Sequence, residues 1–273
     1  MHRKPFSSHP SGSAGGSDIA CFPIRATCGA TLRGVELRAW PPDAKMVDAR
    51  LKNVARQACA PIDVEQLEWL LGECAAQPTA VLNRSRIWMP LSVRTIARPW
   101  VKPLLGSRVK EERDRNAGLL TIAFSQSDAM VNLEGFTNCA KLLRECQVRV
   151  AVSDVDDLHM FDQIAARAQG CIGDVRLVSS FLRSTRHRVA DAVTRWHEEG
   201  MTVTALDLGS ASECEFAIEA NVDLLQGDVV GLPYDLALLD SKARLSEFGS
   251  PHPPQEQDCF WDTERRVPAR SSR

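Results

Sequence analysis

The chain alternates short apolar runs with amphipathic segments, and this alternation restricts the fold more than any other feature of the sequence. Five runs have the length and residue types of buried strands: Leu119–Phe124, Val148–Val152, 172–178, 201–206 and 222–225. Four segments among them carry apolar residues at helical spacing: Met130–Cys146, 158–168, 183–199 and 211–219. Strands that alternate with helices in this way indicate βα units and a mostly parallel sheet.

The first part of the chain shows the same pattern less regularly. Cys21–Ala26 and Leu32–Ala39 are predicted as strands joined by a turn at Cys28-Gly29. Further along, two helices are predicted at Val47–Cys59 and Val64–Ala75, and a short strand at Thr79–Asn83. Residues 86–116 contain three prolines and a charged run, so we predict an irregular segment there.

The number of these units points to a closed structure. Six or seven units within about 215 residues suit a barrel better than an open sheet, although spacing alone leaves the open sheet as an alternative. We therefore predict an α/β fold, a TIM-like (β/α) barrel with mostly parallel strands and one antiparallel N-terminal strand, over residues 19–235. Residues 1–18 are rich in Ser, Gly, Pro and His, and residues 236–273 are polar and Pro-rich, so both are predicted to be tails.

Composition argues against several functional classes. A formal net charge of -2 provides no bulk attraction to a nucleic-acid duplex or to an anionic membrane. No apolar run approaches the ~20 residues that a membrane span needs, and the N-terminus lacks the apolar core of a secretory signal. Nine scattered cysteines without a Cys-x-x-Cys pair indicate reduced thiols and a cytoplasmic location. A zinc site built from His187, His197 and Cys171 or Cys214 has no support in their spacing.

Seven short blocks follow one another along the chain. They are Phe22-Pro23-Ile24, Gly34-Val35-Glu36-Leu37, Leu82-Asn83-Arg84-Ser85, Leu120–Ser127, Val148–Asp154, Asp174–Leu182 and Gln226-Gly227. In this order they resemble the Q-P-I, G-V-E-A-L, V-N-L-S, L-x-L-E-I-T-E-S, V-x-L-A-L-D-D, K-I-D-R-S-F-V and closing Q-G motifs of the EAL domain. That family hydrolyses the bacterial messenger cyclic di-GMP, and the resemblance implies a barrel of EAL type.

The resemblance also implies a metal-dependent reaction. Two Mg²⁺ or Mn²⁺ ions activate a water and clamp the phosphate, and oxygen ligands at the carboxyl ends of the strands hold the ions. By resemblance, the metal ligands that are kept are Glu36, Asn83 and Asp154, which we regard as vestigial. The vestigial ligand-binding positions, again by resemblance, are Glu36, Arg38, Arg176 and Gln226.

Other functional positions of the family are changed in this chain. Ala123, Ser153 and Leu206 replace carboxylates, so two of five metal carboxylates remain, and Gly209 replaces a further glutamate. Two carboxylates and an amide do not hold a pair of divalent ions against their hydration. Arg176 replaces the catalytic lysine, and arginine stays protonated. We therefore expect no catalytic residues and no cofactor.

Two alternatives concern these acids. Asp156-Asp157 and Asp207 lie close to the empty positions, but Asp207 would point away from the pore unless a bulge re-aims it. The retained residues also have structural interpretations: Glu36 as a surface acid, Asn83 as a turn or cap residue, and Asp154 as a helix N-cap.

The sequence thus predicts a catalytically degenerate EAL-domain protein that acts as a regulatory, protein-interaction module in cyclic di-GMP-related signalling. We expect a regulatory protein as its partner and, by resemblance, a homodimer, with no membrane or nucleic-acid duplex bound. One alternative is a non-catalytic cyclic di-GMP receptor. The other is a weakly active cyclic di-GMP phosphodiesterase, which would require Mg²⁺ or Mn²⁺.

Overall fold

The computed structural model describes residues 19–28, 31–39, 86–99, 101, 103, 120–184 and 186–235. The predicted helices Val47–Cys59 and Val64–Ala75, the strand Thr79–Asn83 and both tails lie outside these residues. The proposed domain boundaries therefore remain predictions.

The described residues contain nine strands and seven helices. The strands are β1 (Ile19–Ala26), β2 (Leu32–Ala39), β3 (Arg86–Pro90), β4 (Leu120–Ser125), β5 (Arg149–Val155), β6 (Ile172–Val178), β7 (Thr202–Leu206), β8 (Leu224–Leu225) and β9 (Tyr234–Asp235). The helices are α1 (Val93–Ile96), α2 (Gln126–Val131), α3 (Leu133–Glu145), α4 (Leu158–Ala168), α5 (Ser179–Ser184), α6 (Arg186–Glu198) and α7 (Ala211–Glu219).

The strands close into a barrel. Their order is β2-β3-β4-β5-β6-β7-β8-β1-β9, and an additional β1–β2 pairing joins the two sides of the ring. Neighbours from β2 to β8 run parallel, whereas β1 runs antiparallel to both β2 and β8. This arrangement confirms the prediction of a mostly parallel barrel with one antiparallel N-terminal strand.

Alternation along each strand separates an outer core from the barrel interior. On β4, Ile122 and Phe124 belong to the large apolar core beneath the helices, whereas Ala123 belongs to a small second cluster. Because successive side chains of a strand point to opposite faces, this second cluster lies inside the barrel. The outer core is packed by aromatic side chains, such as Phe124 against Phe136 with ring centroids 5.4 Å apart.

The barrel interior is unusually polar for a buried region. Its apolar members are Ile24, Ala26, Trp88, Ala123, Ala151 and Leu224. The polar and charged members are Glu36, Arg38, Thr121, Ser153, Asp174, Arg176, Thr204 and Gln226, all less than a tenth exposed. Buried charges are rare unless they are paired, so this layer of side chains is where a functional site is expected.

The prediction of an irregular segment over residues 86–116 was wrong at its beginning. Arg86–Pro90 forms β3, which pairs in parallel with β2 and β4. Ile87 and Met89 pack into the outer core, and Trp88 enters the barrel. Pro90 is tolerated because it is the last residue of the strand, where a proline interrupts little of the ladder.

Two predicted helices are each divided. The segment predicted at Met130–Cys146 breaks at Asn132, whose side chain accepts a hydrogen bond from the Gly135 amide and so begins α3. The segment predicted at 183–199 is divided between α5 and α6. Within the described ranges, none of the helices has the length and apolar character to cross a membrane.

Candidate functional site

Glu36 is held by two guanidinium groups inside the barrel. Its side chain lies on the inward face of β2 and is fully buried. The Arg38 Nε donates to Oε1 at 2.7 Å, and the Arg176 Nη2 donates to Oε2 at 3.0 Å. Each carboxylate oxygen therefore has a charged donor. The interpretation of Glu36 as a surface acid was wrong.

Arg176 joins β6 to β2 and to Gln226, the residue that follows β8. Its Nη2 also donates to Gln226 Oε1 at 2.7 Å, and its guanidinium carbon lies 6.0 Å from the centroid of the Trp88 ring. Arg176 is fully buried and Gln226 is 1% exposed. The Nε and Nη1 of Arg176 and the Nε2 of Gln226 have no hydrogen-bond partner. Compensation of the buried Arg176 charge therefore depends mainly on Glu36.

A second carboxylate lies deeper in the barrel. Trp88 Nε1 donates to Asp174 Oδ2 at 3.2 Å, and Arg149 Nε donates to Asp174 Oδ1 at 2.6 Å. Arg86 Nη1 lies 3.8 Å from the same oxygen. The pKa of Arg86 is lowered, first by burial and then by its neighbours Arg149 and Arg33, although Asp174 and Asp223 act in the opposite direction.

These contacts form a continuous line through the interior, which we call the axial column: Arg38, Glu36, Arg176, Trp88, Asp174 and Arg149. It runs from the carboxyl end of the parallel strands, near Arg38, to their amino end at Arg149. The resemblance had suggested Glu36, Arg38, Arg176 and Gln226, which do lie together. Sequence reasoning missed Trp88, Asp174 and Arg149.

Asp154 lies one residue before the end of β5, and Asp207 directly follows β7. Both have a left-handed backbone, each with φ of 57°. The β5–β6 register shifts between Val152 and Val155, so an extra residue is accommodated at the end of β5. Leu206, the last residue of β7, faces inward. It is followed by Asp207 and then by Leu208, which packs into the outer core.

The register between β6 and β7 is regular through Leu206, the last residue of β7. Asp207 follows the strand with a left-handed backbone, so the alternation of the strand does not decide where its side chain points. Partial burial, and then the nearby Asp207 carboxylate, raise the pKa of Asp228. Among the described residues, no group of three or more His, Cys, Asp or Glu side chains could hold a metal ion. The zinc set therefore gains no support.

Asp157, rather than Asp154, is the N-cap of α4. Its carboxylate accepts a hydrogen bond from the Met160 amide at 3.0 Å. The interpretation of Asp154 as the cap was wrong by three residues. Asp156 and Asp157 are both exposed, and their amides donate to Gln126 Oε1. The Asp156-Asp157 pair is thus part of the helix entry.

The carboxyl end of β3 offers no metal ligand. Asn83 lies outside the described residues, and its assignment stays a prediction. The strand itself ends at Pro90, which pairs with Ala123 on β4. Met89-Pro90-Leu91-Ser92 also shares the Leu-Ser ending of the V-N-L-S motif. An alignment of these four residues with V-N-L-S would place Pro90 at the amide position and is an alternative to the assignment of Asn83.

The donor set around Glu36 does not suit a divalent cation. Both Glu36 oxygens are taken by guanidinium groups. On the neighbouring strands, Pro90 at the end of β3, the inward Ala123 of β4 and Leu206 at the end of β7 offer no side-chain oxygen. Mg²⁺ and Mn²⁺ require several oxygen ligands, so the residues present do not fit these ions.

Backbone amides of the loop after β7 have a hydrogen-bond acceptor in the first turn of the helix that follows the loop. Glu213 Oε2 accepts from the Gly209 amide at 2.7 Å and from the Ser210 amide at 3.1 Å, which completes a capping box at the start of α7. A Cβ on Gly227, which has φ of 152°, would collide with the Leu208 backbone. Gly227 is therefore needed for close approach of the two loops.

Known structures provide an independent comparison. The chain has a TM-score of 0.61 to the Xanthomonas citri FimX EAL domain in complex with c-diGMP, at 15% identity over 80% of this chain and 88% of that one. It has a TM-score of 0.60 to an EAL domain protein from Listeria monocytogenes, at 17% identity over 83% and 92%. For the PaMucR phosphodiesterase in its c-di-GMP complex the TM-score is 0.57, at 17% identity over 82% and 100%.

These similarities establish the fold of the chain as that of EAL domains. At sequence identities below a fifth, the similarity concerns the architecture alone. Neither a family model nor a curated protein matches this sequence.

Proposed function

We propose that this protein is a catalytically degenerate EAL-fold module that regulates by binding another protein and does not hydrolyse cyclic di-GMP. The observation that carries the proposal is the sequestration of Glu36, fully buried and bound by Arg38 and Arg176. A carboxylate in this state cannot bind and activate a metal-bound water unless both ion pairs are first broken.

The surrounding residues support the absence of turnover. Phosphodiester hydrolysis by two metals needs carboxylates on several strands, and this chain has Ala123, Ser153 and Leu206 in those places by resemblance. Arg176 carries a fixed charge and cannot exchange a proton with water near neutral pH. Asp154 and Asp207 alone supply too few ligands for two ions.

Burial also favours a protein partner over a nucleotide ligand. Arg176 and Gln226 are almost completely inaccessible, and the guanidinium of Arg38 is committed to Glu36. A dianionic dinucleotide bound at these residues would have to open the barrel mouth and compete with an internal carboxylate. The FimX structure in complex with c-diGMP nevertheless makes a receptor the second candidate for a protein of this fold.

The first experiment measures turnover. Purified protein is incubated for many hours with cyclic di-GMP and Mn²⁺ or Mg²⁺, with an active EAL phosphodiesterase as the positive control, and the linear dinucleotide is quantified. We expect none. Linear product that disappears in Glu36→Gln would establish the phosphodiesterase instead.

The second experiment separates a receptor from an interaction module. Isothermal titration with cyclic di-GMP is expected to be flat. Saturable heat that is lost in Gln226→Ala but kept in the exposed-site control Ser212→Ala would favour the receptor.

If the titration with cyclic di-GMP is flat, the next step is to identify the protein partner. Affinity capture followed by reconstitution from two purified proteins should give a stable complex on size exclusion with light scattering. The same measurement reports whether the protein is the expected homodimer, and expression of a tagged chain tests the proposed cytoplasmic location. If no partner reconstitutes and cyclic di-GMP binds, the interaction proposal fails.

A further inference from the structure

The buried Glu36 carboxylate is already paired with a cationic side chain. Arg176 reaches Glu36 from a strand on the far side of the ring, and the same nitrogen reaches Gln226, the residue that follows β8. One positive charge therefore joins β2, β6 and the end of β8. Arg38 supplies a second charge to the remaining oxygen.

We propose that the Arg176 guanidinium is a built-in counter-cation that takes the place of a metal at Glu36 and closes this layer to divalent ions. The inference rests on the proposed function, since it explains how a barrel of this type exists without its metals. It goes further because it makes a statement about ion binding and stability that turnover does not report.

The chemistry of the pair supports exclusion of a metal. An incoming Mg²⁺ or Mn²⁺ would have to displace both guanidinium groups from Glu36. Arg176 would then be a buried cation with Gln226 Oε1 as its remaining acceptor, because its Nε and Nη1 already lack partners. Leaving a charge buried without its counter-charge is strongly unfavourable.

The surroundings of Arg176 fix it in this role. The face of Trp88 lies beneath its guanidinium carbon, and the indole N–H of Trp88 is anchored on Asp174. Arginine is suited to this position because Nη2 carries two N–H donors, one for each acceptor, and its charge cannot be lost by deprotonation. Pro90 at the end of β3, the inward Ala123 of β4 and Leu206 at the end of β7 add no side-chain oxygen that could assist a competing cation.

The test measures thermal unfolding of the full chain in EDTA and in Mg²⁺, Mn²⁺ or Ca²⁺ at constant ionic strength. We expect the melting temperature of the unsubstituted protein to be the same in all four solutions. A rise in Mn²⁺ or Mg²⁺ that is absent in Glu36→Gln would overturn the proposal.

Substitutions test the charge itself. Arg176→Met is expected to lower the melting temperature by roughly 10 °C, since it removes one counter-charge from the buried Glu36 carboxylate. Arg176→Lys should recover part of this loss because it restores charge without the fork. The decrease in the double variant Glu36→Gln/Arg176→Met should be smaller than the sum of the two single decreases, and additive decreases would contradict direct pairing.

The outcomes distinguish this inference from the proposed function. Turnover of cyclic di-GMP without a Glu36-dependent metal response would overturn the proposed function and leave the counter-cation intact. A Glu36-dependent metal response without turnover would overturn the counter-cation alone. If a variant does not fold, the metal titration of the unsubstituted protein still decides the question.

Discussion

Arg176 Nη2 and Glu36 Oε2 lie 3.0 Å apart across the barrel, although the two residues are 140 positions apart in the chain. Neither side chain is exposed. This ion pair lies at the level of the barrel where the resemblance to EAL domains places a metal. It links the first parallel strand of the ring to the sixth strand along the chain, and it determines what this interior can bind.

Asp174 should contribute more to stability than any surface acid. Replacing it by Asn would leave Arg149 without its carboxylate partner and would weaken the hold on Arg86. We expect Asp174→Asn to lower the free energy of unfolding by about 3–5 kcal/mol, as for other broken buried pairs. Urea unfolding measures this change.

Asp162→Asn is the matched control for Asp174→Asn. Asp162 pairs with Arg195 at 3.7 Å, and both side chains are about half exposed. The same chemical change there should alter the free energy of unfolding by less than about 1 kcal/mol. Equal losses in the two variants would contradict a special role for the axial column.

Asp228 should make the protein less stable as the pH rises. Although Asp228 is exposed at the surface, partial burial first and then Asp207 raise its folded-state pKa, so the folded protein holds this proton more tightly than the unfolded chain. The penalty is absent below the ordinary Asp pKa of about 3.9 and fully present above the raised folded value. Asp228→Asn should therefore raise the urea midpoint at pH 7, with a difference that disappears toward pH 3.

The pH series needs its own control. Asp162→Asn removes one negative charge from a site remote from Asp207 and should show no comparable gain at pH 7. A destabilised Asp228→Asn variant at pH 7 would show that the carboxylate makes a favourable contact which outweighs its burial.

Two buried thiols should resist alkylation in the folded protein. Burial raises the pKa of Cys139 to about 11, with help from Asp128, and raises the pKa of Cys214 to about 12. Since the thiolate is the reactive form, iodoacetamide at pH 8 should modify the exposed Cys28 long before either of them. Peptide mapping by mass spectrometry resolves the sites, and unfolding in urea should make all three react alike.

Gly34 should be intolerant of any side chain. A Cβ at this position would overlap the Arg86 carbonyl oxygen and lie 2.5 Å from Trp88 Cζ3. Gly34→Ala is thus expected to lower the free energy of unfolding by about 1–3 kcal/mol, because the β2–β3 ladder must shift. Gly209→Ala is the control, since the nearest atom to its Cβ is 3.8 Å away. Similar urea midpoints for the two variants would contradict this prediction.

The free thiols are consistent with the sequence argument about cysteine. Cys28, Cys139, Cys171 and Cys214 are free thiols, in agreement with the sequence argument against a disulfide framework. The absence of a cofactor and the identity of a partner stay predictions, because neither is tested by the fold.

Periodicity predicted the barrel because it is a local property. The apolar run Val148–Val152 and the amphipathic segment 158–168 each specify their element from neighbouring residues alone. The prediction failed at β3, because the prolines of residues 86–116 were interpreted as signs of an irregular segment, whereas Pro90 ends a strand. A sequence pattern does not distinguish a proline that terminates a strand from one that interrupts a loop.

The sequence by itself determined the alternation of strands and helices, the antiparallel start and the retention of Glu36 and Gln226 beside a substituted Arg176. Tertiary structure alone decided that Glu36 is buried, that Arg176 neutralises it, and that Trp88, Asp174 and Arg149 extend the contact through the barrel. Closing the ring brings together side chains from strands far apart in the chain. Ion pairing depends on those distances and on burial, neither of which is encoded in the local spacing of residues.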